Sequence, residues 1–315
     1  KYWRKFQFFA IISNIFVAMT TQASVPFLDL HSAYIELKAE IDSAISDVLN
    51  SGNYILGEQV SAFESEWAHY CEASCAVGLA NGLEALTISL QALNIGPGDE
   101  VLVPANTYIA TWLAVSSVGA VPIPVEPDPN TYNINPSLIH DLITPRTAAI
   151  IPVHLYGYPA DLNSIISMAR EHSLFVIEDA AQSHGAKYHG SRIGAHGDIV
   201  CWSFYPGKNL GAFGDAGAIT TNNPYLADKV QLLRNYGSRK KYYNEVIGRN
   251  SRLDPIQAAV LRIKLKYLDI WNVRRNKISL AYRDILENSL LLAPKPLPGF
   301  NHSWHQFVVA SNYRD

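Results

Sequence analysis

The stretch SFYPGKNLG at residues 203–211 sets a single lysine, Lys208, in a small glycine-rich turn. Residues 199–202 before it are apolar and predict a buried strand. Apolar surroundings lower the pKa of a lysine and so raise the fraction of neutral amine that can form a Schiff base. Lys208 is therefore a candidate nucleophile, with an ordinary loop charge as the alternative.

A second stretch, VIEDAAQSHG at residues 176–185, supplies a carboxylate in a matching place. Residues 174–177 predict a short strand, so Asp179 is expected at its carboxyl end, where open α/β sheets place ligand contacts. Pyridoxal phosphate (PLP) requires a lysine for its Schiff base, a carboxylate that keeps its ring nitrogen protonated, and a cradle for its phosphate. Lys208 and Asp179 meet the first two requirements. The alternative for Asp179 is a helix N-cap after the strand.

A phosphate cradle is predicted further upstream. Residues 75–79 form a short apolar run that leads into NGLEAL at residues 81–86, where Leu83 and Leu86 begin a helical spacing. A strand, a turn of small residues and a helix N-terminus bind phosphate well, because free N–H groups and the helix dipole favour an anion. An ordinary connection between a strand and a helix is the alternative.

Tyr108 is expected at the same edge of the sheet. It follows a predicted strand at residues 101–103 and begins the next helix. Its ring is either a flat platform for a cofactor or part of the core.

The order of elements predicts the fold. Strands alternate with helices from residue 75 to residue 220. Further strands are predicted at 121–125, 148–153 and 218–220. This alternation predicts an α/β fold whose mixed, mainly parallel sheet is flanked by helices. Beyond it we expect one long helix from residue 255 to about 287, and a strand at 305–310.

The composition excludes some functions. The chain has 315 residues, of which 17% are charged, and a net charge of −3 without a basic block, so no surface favours nucleic acid. Cys71, Cys75 and Cys201 give neither an even disulfide framework nor a zinc pattern. We therefore expect free thiols, a reducing compartment and no metal site.

The first 24 residues differ from the rest of the chain. Lys1, Arg4 and Lys5 precede an apolar run from residue 6 to about residue 18, as in a signal peptide. The run is too short to cross a bilayer comfortably. We favour upstream sequence before a start at Met19 over a signal peptide, because the chemistry expected of the rest of the chain belongs in the cytosol. The expected organisation is an extraneous or signal-like segment at 1–24, a PLP-binding α/β domain at 25–270, and the start of a small, incomplete C-terminal domain at 271–315.

Together these stretches resemble the DegT/DnrJ/StrS-type nucleotide-sugar aminotransferases, which have the fold-type I PLP architecture. The resemblance extends in order from residue 25 to the end of the chain. It is carried by the blocks GNYILG (52–57), ANGLEAL (80–86), PANTY (104–108), PVHLYG (152–157), EDAAQSHG (178–185), SFYPGKN (203–209), NSRLD (250–254) and QAA (257–259). So many ordered blocks are far more specific than a single motif.

The resemblance implies roles for individual residues. Lys208 corresponds to the Schiff-base lysine, Asp179 to the partner of the ring nitrogen, Gln182 to a contact to the ring hydroxyl, and Tyr108 to the stacking platform. The phosphate is expected to contact the backbone N–H groups of Gly82 and Leu83, the Ser203 hydroxyl, and Asn250 from a second subunit. Family members often have Thr where this chain has Leu83, so one hydroxyl contact is missing.

The resemblance also implies an activity. The expected enzyme transfers an amino group from glutamate to a nucleotide keto-sugar and works as a cytoplasmic homodimer with a shared active site. Relatives with His in place of the lysine are dehydratases, so Lys208 indicates transamination. The runs at 235–242, 244–246 and 250–254 look most similar to the branch that acts at C3 of dTDP-3-keto-6-deoxyhexoses. We expect neither a membrane nor a nucleic-acid partner.

Candidate substrate contacts are less specific. The loop at 236–242 is basic and aromatic, and the fork of an arginine suits a diphosphate. The candidates are His154, His184, Arg239, Tyr242 and His305. For each, a solvated or hydrogen-bonded structural role is the alternative.

Two other functions stay open. One is a related PLP enzyme, either a 4-aminotransferase of UDP-keto-sugars or an aminocyclitol aminotransferase. The other is a non-catalytic sensor that the N-terminal apolar run attaches to a membrane. A fold alone does not choose between them, because one fold hosts many chemistries.

Overall fold

The computed structural model describes residues 26–312. The segment at 1–24, expected to be extraneous or signal-like, lies outside these residues. The chain divides into two compact units, one that ends at Glu36 and one that starts at Leu37. The described part of the first unit ends in a short helix, α1 (His31–Glu36).

The second unit is built on a central sheet. Within residues 26–312 the strands are β1 (Cys75–Leu79), β2 (Glu100–Pro104), β3 (Val121–Val125), β4 (Thr147–Ile150), β5 (Phe175–Asp179), β6 (Lys187–Tyr188), β7 (Ser191–Arg192), β8 (Ile199–Ser203), β9 (Gly217–Thr221), β10 (Ser238–Lys240), β11 (Tyr243–Asn244) and β12 (Phe300–Asn301). The central sheet has the order β1-β9-β8-β5-β4-β2-β3. Strand β9 is antiparallel to both of its neighbours, and the other neighbouring pairs are parallel. The predicted mixed, mainly parallel sheet is confirmed.

Helices cover this sheet. The α-helices of the second unit within residues 26–312 are α2 (Lys38–Ser51), α3 (Glu58–Tyr70), α4 (Gly82–Ala92), α5 (Ile109–Ser117), α6 (Leu162–Glu171), α7 (Pro224–Leu233), α8 (Pro255–Leu265) and α9 (Leu268–Leu286). Strand β2 shows that both faces of the sheet are covered. Its Val101 belongs to the same core cluster as Leu90 of α4, whereas the next residue, Leu102, belongs to a different cluster. Alternate residues of a strand point to opposite faces, so an unbroken apolar run is buried on both sides. In the described part of the chain, no helix is long and apolar enough to cross a membrane.

The single helix expected from 255 to about 287 is wrong. The structure has two helices, α8 and α9, which are separated at Lys266 and Tyr267. Neither residue is Pro or Gly, and the helical periodicity continues across them, so the sequence carries no signal of this break. Tyr267 leaves ideal helical geometry (φ −107°), and its phenol donates a hydrogen bond to Glu40 (2.6 Å), a residue that is distant in sequence.

The strand expected at 305–310 is also wrong. Among the described residues of this segment, only Ala310 pairs with another backbone as a bridge, and its partner is Leu292. Apolar alternation predicts a strand, but a strand forms only where a second backbone offers hydrogen bonds over several residues. The predicted domain boundary after residue 270 falls in the first turn of α9 and stays a prediction.

Candidate active site

The carboxyl ends of the parallel strands bring the candidate residues together. Strand β5 ends at Asp179 and its parallel neighbour β8 ends at Ser203. Lys208 lies in the turn after β8, and Gly82 begins α4 directly after β1. We call Gly82, Asp179, Ser203 and Lys208 the edge site. Its position agrees with the rule that ligands bind outside the carboxyl ends of such strands.

Asp179 is a buried carboxylate, only 6% exposed. Its Oδ1 accepts a hydrogen bond from the Ala181 amide (3.1 Å), and its Oδ2 accepts one from the Thr111 hydroxyl (2.9 Å). Burial raises the pKa of the Asp179 carboxyl, while these hydrogen bonds and the charge of Lys208 act to lower it. Residues 180–186 form turns and not a helix, which excludes the N-cap alternative. A cationic partner would offset the remaining cost of burying this carboxylate.

Lys208 is held by a tight turn. Its backbone N–H donates to the Tyr205 carbonyl (2.8 Å), and a Cβ at Gly211 would collide with the Pro206 carbonyl, so the turn requires glycine there. Burial lowers the pKa of the Lys208 amine, and the charge of Asp179 opposes this shift. Among the described residues, the amine makes no hydrogen bond or ion pair. Lys208 is therefore a partly desolvated amine available for nucleophilic chemistry and not an ordinary solvated loop charge.

The N-terminus of α4 and the end of β8 form a small polar cradle. Asn81 caps α4 by accepting a hydrogen bond from the Glu84 amide (2.9 Å), which leaves the Gly82 and Leu83 amides without an intrahelical partner. A Cβ at Gly82 would lie 2.6 Å from the Ser203 Cβ, so only glycine permits this approach. Leu83 packs its side chain against the core and offers only its N–H. Two free amides and a hydroxyl at the positive end of a helix suit a phosphate.

These features fit PLP. The buried carboxylate of Asp179 suits a protonated ring nitrogen, and the amine of Lys208 suits an aldehyde carbon. The free Gly82 and Leu83 amides and the Ser203 hydroxyl suit the phosphate, and glycine at position 82 is what allows Ser203 to come this close. The donor set of the edge site is therefore compatible with this cofactor.

Gln182 and Tyr108 flank the same edge. The Gln182 Oε1 accepts a hydrogen bond from the Tyr156 amide, which leaves the side-chain NH₂ group to donate, as a contact to a ring hydroxyl requires. Tyr108 is the N-cap residue of α5, and 71% of its surface is exposed. The core alternative for Tyr108 is therefore wrong, and its ring is accessible to a planar ligand.

Two histidines expected to contact substrate lie in the interior instead. His154 is fully buried, with its Nε2 paired to Glu178 (2.9 Å) and its Nδ1 accepting a hydrogen bond from a backbone amide. His184 is also fully buried, and its ring lies 5.4 Å from that of Trp202 and 5.6 Å from that of Phe204. The expectation of direct substrate contacts is corrected for both, because neither side chain reaches the surface of the site.

His305 lies closer to the nucleophile. Its Nδ1 is 3.2 Å from the Asn209 Oδ1, one residue after Lys208. Burial, followed by the charge of Lys208, lowers the pKa of His305 to about 3, so the ring is neutral at physiological pH. A neutral imidazole still donates and accepts hydrogen bonds.

The remaining predicted residues lie on a surface segment at 236–250 that includes the β10–β11 hairpin, and we call it the hairpin loop. Arg239 forms ion pairs with Asp228 and Glu245, and Tyr242 is 86% exposed. Asn250 is also exposed. Within residues 26–312, none of these side chains has a hydrogen bond or ion pair with the edge site. One chain thus assembles the edge site and leaves the hairpin loop apart from it.

Sequence reasoning missed two residues that support the edge site. Thr111 contacts Asp179 from 68 positions earlier in the chain, and no local pattern marks it. Lys264 is only 4% exposed, and its Nζ donates to the Gly211 carbonyl (2.6 Å) in the turn that carries Lys208. Lys264 lies three residues after buried Leu261, and this position on an apolar helix face was the available signal.

The chain is similar to known proteins over most of its length. Residues 36–315 match the model of the DegT/DnrJ/EryC1/StrS aminotransferase family. The dTDP-3-amino-3,4,6-trideoxy-alpha-D-glucose transaminase of Streptomyces venezuelae is 53% identical over 292 residues, which cover 92% of this chain and 77% of that protein. The chain belongs to the DegT/DnrJ/EryC1/StrS aminotransferase family.

Solved structures of similar proteins have the same fold as this chain. The crystal structure of S. venezuelae DesV in complex with a ketimine intermediate has a TM-score of 0.90 and 53% sequence identity, covering 92% of this chain and 78% of that chain. The structure of ntda from Bacillus subtilis with bound cofactor PMP has a TM-score of 0.84 and 34% identity, covering 91% of this chain and 66% of that chain. The α/β fold of the aminotransferases is thus the fold of this chain.

Proposed function

We propose that this family member transfers an amino group from glutamate to the C3 keto group of a dTDP-linked keto-6-deoxyhexose, with PLP as its cofactor. The observation that carries the proposal is a desolvated amine, Lys208, beside a buried carboxylate, Asp179, and a phosphate cradle. The sugar and the position follow from the S. venezuelae relative, whose name is that of a dTDP-3-amino sugar transaminase.

The residues of the chain divide the chemistry among them. When bound, PLP supplies an electron sink for the carbon beside the reacting nitrogen. Asp179 keeps a proton on the ring nitrogen, because a buried carboxylate favours a cationic neighbour. The Lys208 amine accepts the proton that leaves the substrate α-carbon, and its lowered pKa increases the neutral fraction able to do so. The Gly82 and Leu83 amides bind the phosphate together with the Ser203 hydroxyl.

A homodimer with a shared active site is part of the proposal. Asn250, Arg239 and Tyr242 are exposed on the hairpin loop and available to a second copy of the chain. Isologous two-fold pairing is the commonest way for one surface to complete another copy's site. In this arrangement Asn250 contacts the phosphate held by the partner, and Arg239 and Tyr242 contact the substrate. His305 is the proposed substrate contact from within the same chain.

Mixing two inactive variants tests the shared site. Each proposed site takes Lys208 from one chain and Asn250 from the other. In a dimer of one Lys208→Ala chain and one Asn250→Ala chain, both substitutions therefore fall in the same site, and the second site is intact. After subunit exchange we expect about a quarter of wild-type activity, since half of the dimers are mixed and each has one intact site of two. Activity no higher than that of the separate variants would exclude a shared site.

We propose the cytoplasm as the compartment. Cys71, Cys75 and Cys201 are free thiols, which a reducing compartment preserves. Glutamate and nucleotide sugars are the substrates that the proposal requires there.

An absorption spectrum tests the activity most directly. Purified protein is mixed with PLP, and the band of the lysine–cofactor adduct is followed before and after glutamate is added. We expect glutamate to convert this band to that of pyridoxamine phosphate, and the Lys208→Ala variant to lack the initial band. A panel of dTDP-3-keto, dTDP-4-keto and UDP-keto sugars, with product mass as readout, then identifies the acceptor. A wild-type protein that forms no band while folded would contradict the proposal.

A further inference from the structure

Thr111 is the only side-chain hydroxyl that donates to Asp179 among residues 26–312. It is the third residue of α5 and is fully buried. Its backbone N–H donates to the Tyr108 carbonyl (3.2 Å), so the first turn of the helix holds it against the edge of the sheet. The same turn that presents Tyr108 to solvent therefore presents Thr111 to the carboxylate.

The direction of this hydrogen bond follows from counting donors. A threonine hydroxyl has one proton, and an ionised carboxylate only accepts, so the proton of Thr111 points to the Asp179 Oδ2. The Thr107 hydroxyl lies 3.1 Å from the Thr111 hydroxyl. Because the proton of Thr111 is already committed, Thr107 is the donor in this second contact. The result is a directed relay from Thr107 through Thr111 to Asp179.

The relay matters because Asp179 has few other partners. Its other oxygen has the Ala181 amide, and each oxygen keeps lone pairs for a further donor. Burial works against the ionised carboxylate, while the Thr111 hydroxyl works in its favour. A neutral Asp179 acid could not stabilise a positive charge on a bound ring nitrogen.

We propose that Thr111 is a positioning residue for amino transfer, whose hydroxyl holds the Asp179 carboxylate ionised and in one orientation toward the cofactor's ring nitrogen. The inference rests on the proposed function, since it assigns Asp179 to that nitrogen. Thr111 does not touch the reacting atoms and acts only through Asp179.

The test compares two ligands that differ at one ring atom. Pyridoxamine 5′-phosphate has the ring nitrogen, and its 1-deaza analogue has a CH group in its place. Equilibrium affinities of both are measured by dialysis for the wild type, Thr111→Val and Thr111→Ser. Thr111→Val removes the hydroxyl at nearly constant volume, and Thr111→Ser keeps the hydroxyl while removing a methyl group.

The expected result is selective. We expect Thr111→Val to bind pyridoxamine 5′-phosphate about 10-fold more weakly than the wild type does. The reason is that the Asp179 carboxylate loses the hydroxyl donor that favours its charged form. The affinity of Thr111→Val for the deaza analogue stays within about 2-fold, since that ligand does not use the charge of Asp179. Thr111→Ser resembles the wild type with both ligands. Thr87→Val is the matched control, because Thr87 is buried on α4 and its hydroxyl contacts Ser117 instead.

Other outcomes overturn the inference. Equal losses for both ligands would mean that Thr111 serves packing only, and an unchanged affinity for pyridoxamine 5′-phosphate would mean that it serves no role toward the ring. If the wild type bound both ligands equally well, Asp179 would not pair with the ring nitrogen, and the inference would be wrong. A wild type that binds neither would overturn the proposed function as well.

Discussion

At the edge site, the buried Asp179 and the partly buried Lys208 are ionisable groups with few hydrogen-bond partners, whereas on the hairpin loop Arg239 is paired with two carboxylates at the surface. Burial without a full set of partners costs free energy that a bound ligand can offset. Exposed ion pairs contribute little to folding, and their side chains can exchange partners. The residues of the edge site thus come together within one chain, while the hairpin loop keeps its charged side chain paired at the surface.

The sharpest test of this contrast is the loss of the buried amine. Lys208→Ala should lower the rate of amino transfer at least about 100-fold, because it removes both the nucleophile and the proton carrier. The rate is measured as kcat with glutamate and the dTDP-keto sugar. Lys229→Ala is the control, since the Lys229 amine donates to the Asn94 side chain (2.6 Å) and not to the edge site, and it should retain normal kcat. A Lys208→Ala enzyme with normal turnover would falsify the assignment of the edge site.

A smaller effect is expected on the hairpin loop. If Arg239 exchanges its carboxylates for the diphosphate of the sugar nucleotide, Arg239→Ala should raise KM for that substrate about 10-fold and leave kcat nearly unchanged. The affinity for pyridoxamine phosphate should not change. Arg146→Ala is a matched control, because Arg146 is an exposed arginine paired with Glu100. An equal rise in KM for both variants would point to a general charge effect.

The buried Lys264 gives the smallest effect, on stability. Burial lowers its pKa to about 8 from an ordinary value of 10.5. Between pH 8 and pH 10 the unfolded chain therefore binds a proton that the folded chain has released, so the free energy of unfolding rises with pH by roughly 1 kcal/mol per pH unit from this group. Lys264→Met should remove that part of the rise, as measured by urea unfolding at several pH values.

A lysine of the hairpin loop provides the control. Lys241 is exposed, so Lys241→Met should leave the pH dependence of the wild type unchanged. Should Lys264→Met keep the full rise with pH, the buried lysine would not be its source. Burial of Lys264 would then not distinguish it from the exposed Lys241 in the pH dependence of stability.

Much of the sheet and of the edge site could be predicted from the sequence, because the signals are local. The strand at residues 75–79 was predicted with the bounds that the structure has, and Asp179 lies at the carboxyl end of its strand as expected. Short apolar runs and glycine-rich turns depend on neighbouring residues alone. Parallel strands bring their carboxyl ends to one edge of the sheet, so the sequence alone associates Lys208 with Asp179.

Other features were decided by contacts between distant residues. His154 has no local sign of burial, yet Glu178 and a backbone amide occupy both of its ring nitrogens. Thr111 owes its position to Asp179, and no periodicity indicates that pairing.

Local patterns in the sequence are enough to predict the succession of strands and helices, the lysine and carboxylate of the site, and the family they indicate. The break at Tyr267 in the helix expected from residue 255, the aromatic rings around His184 and the surface position of Arg239 are set by contacts that form on folding. The two kinds of feature differ because periodicity and turn chemistry act over a few residues. Burial and hydrogen-bond partners depend on segments that meet only when the chain has folded.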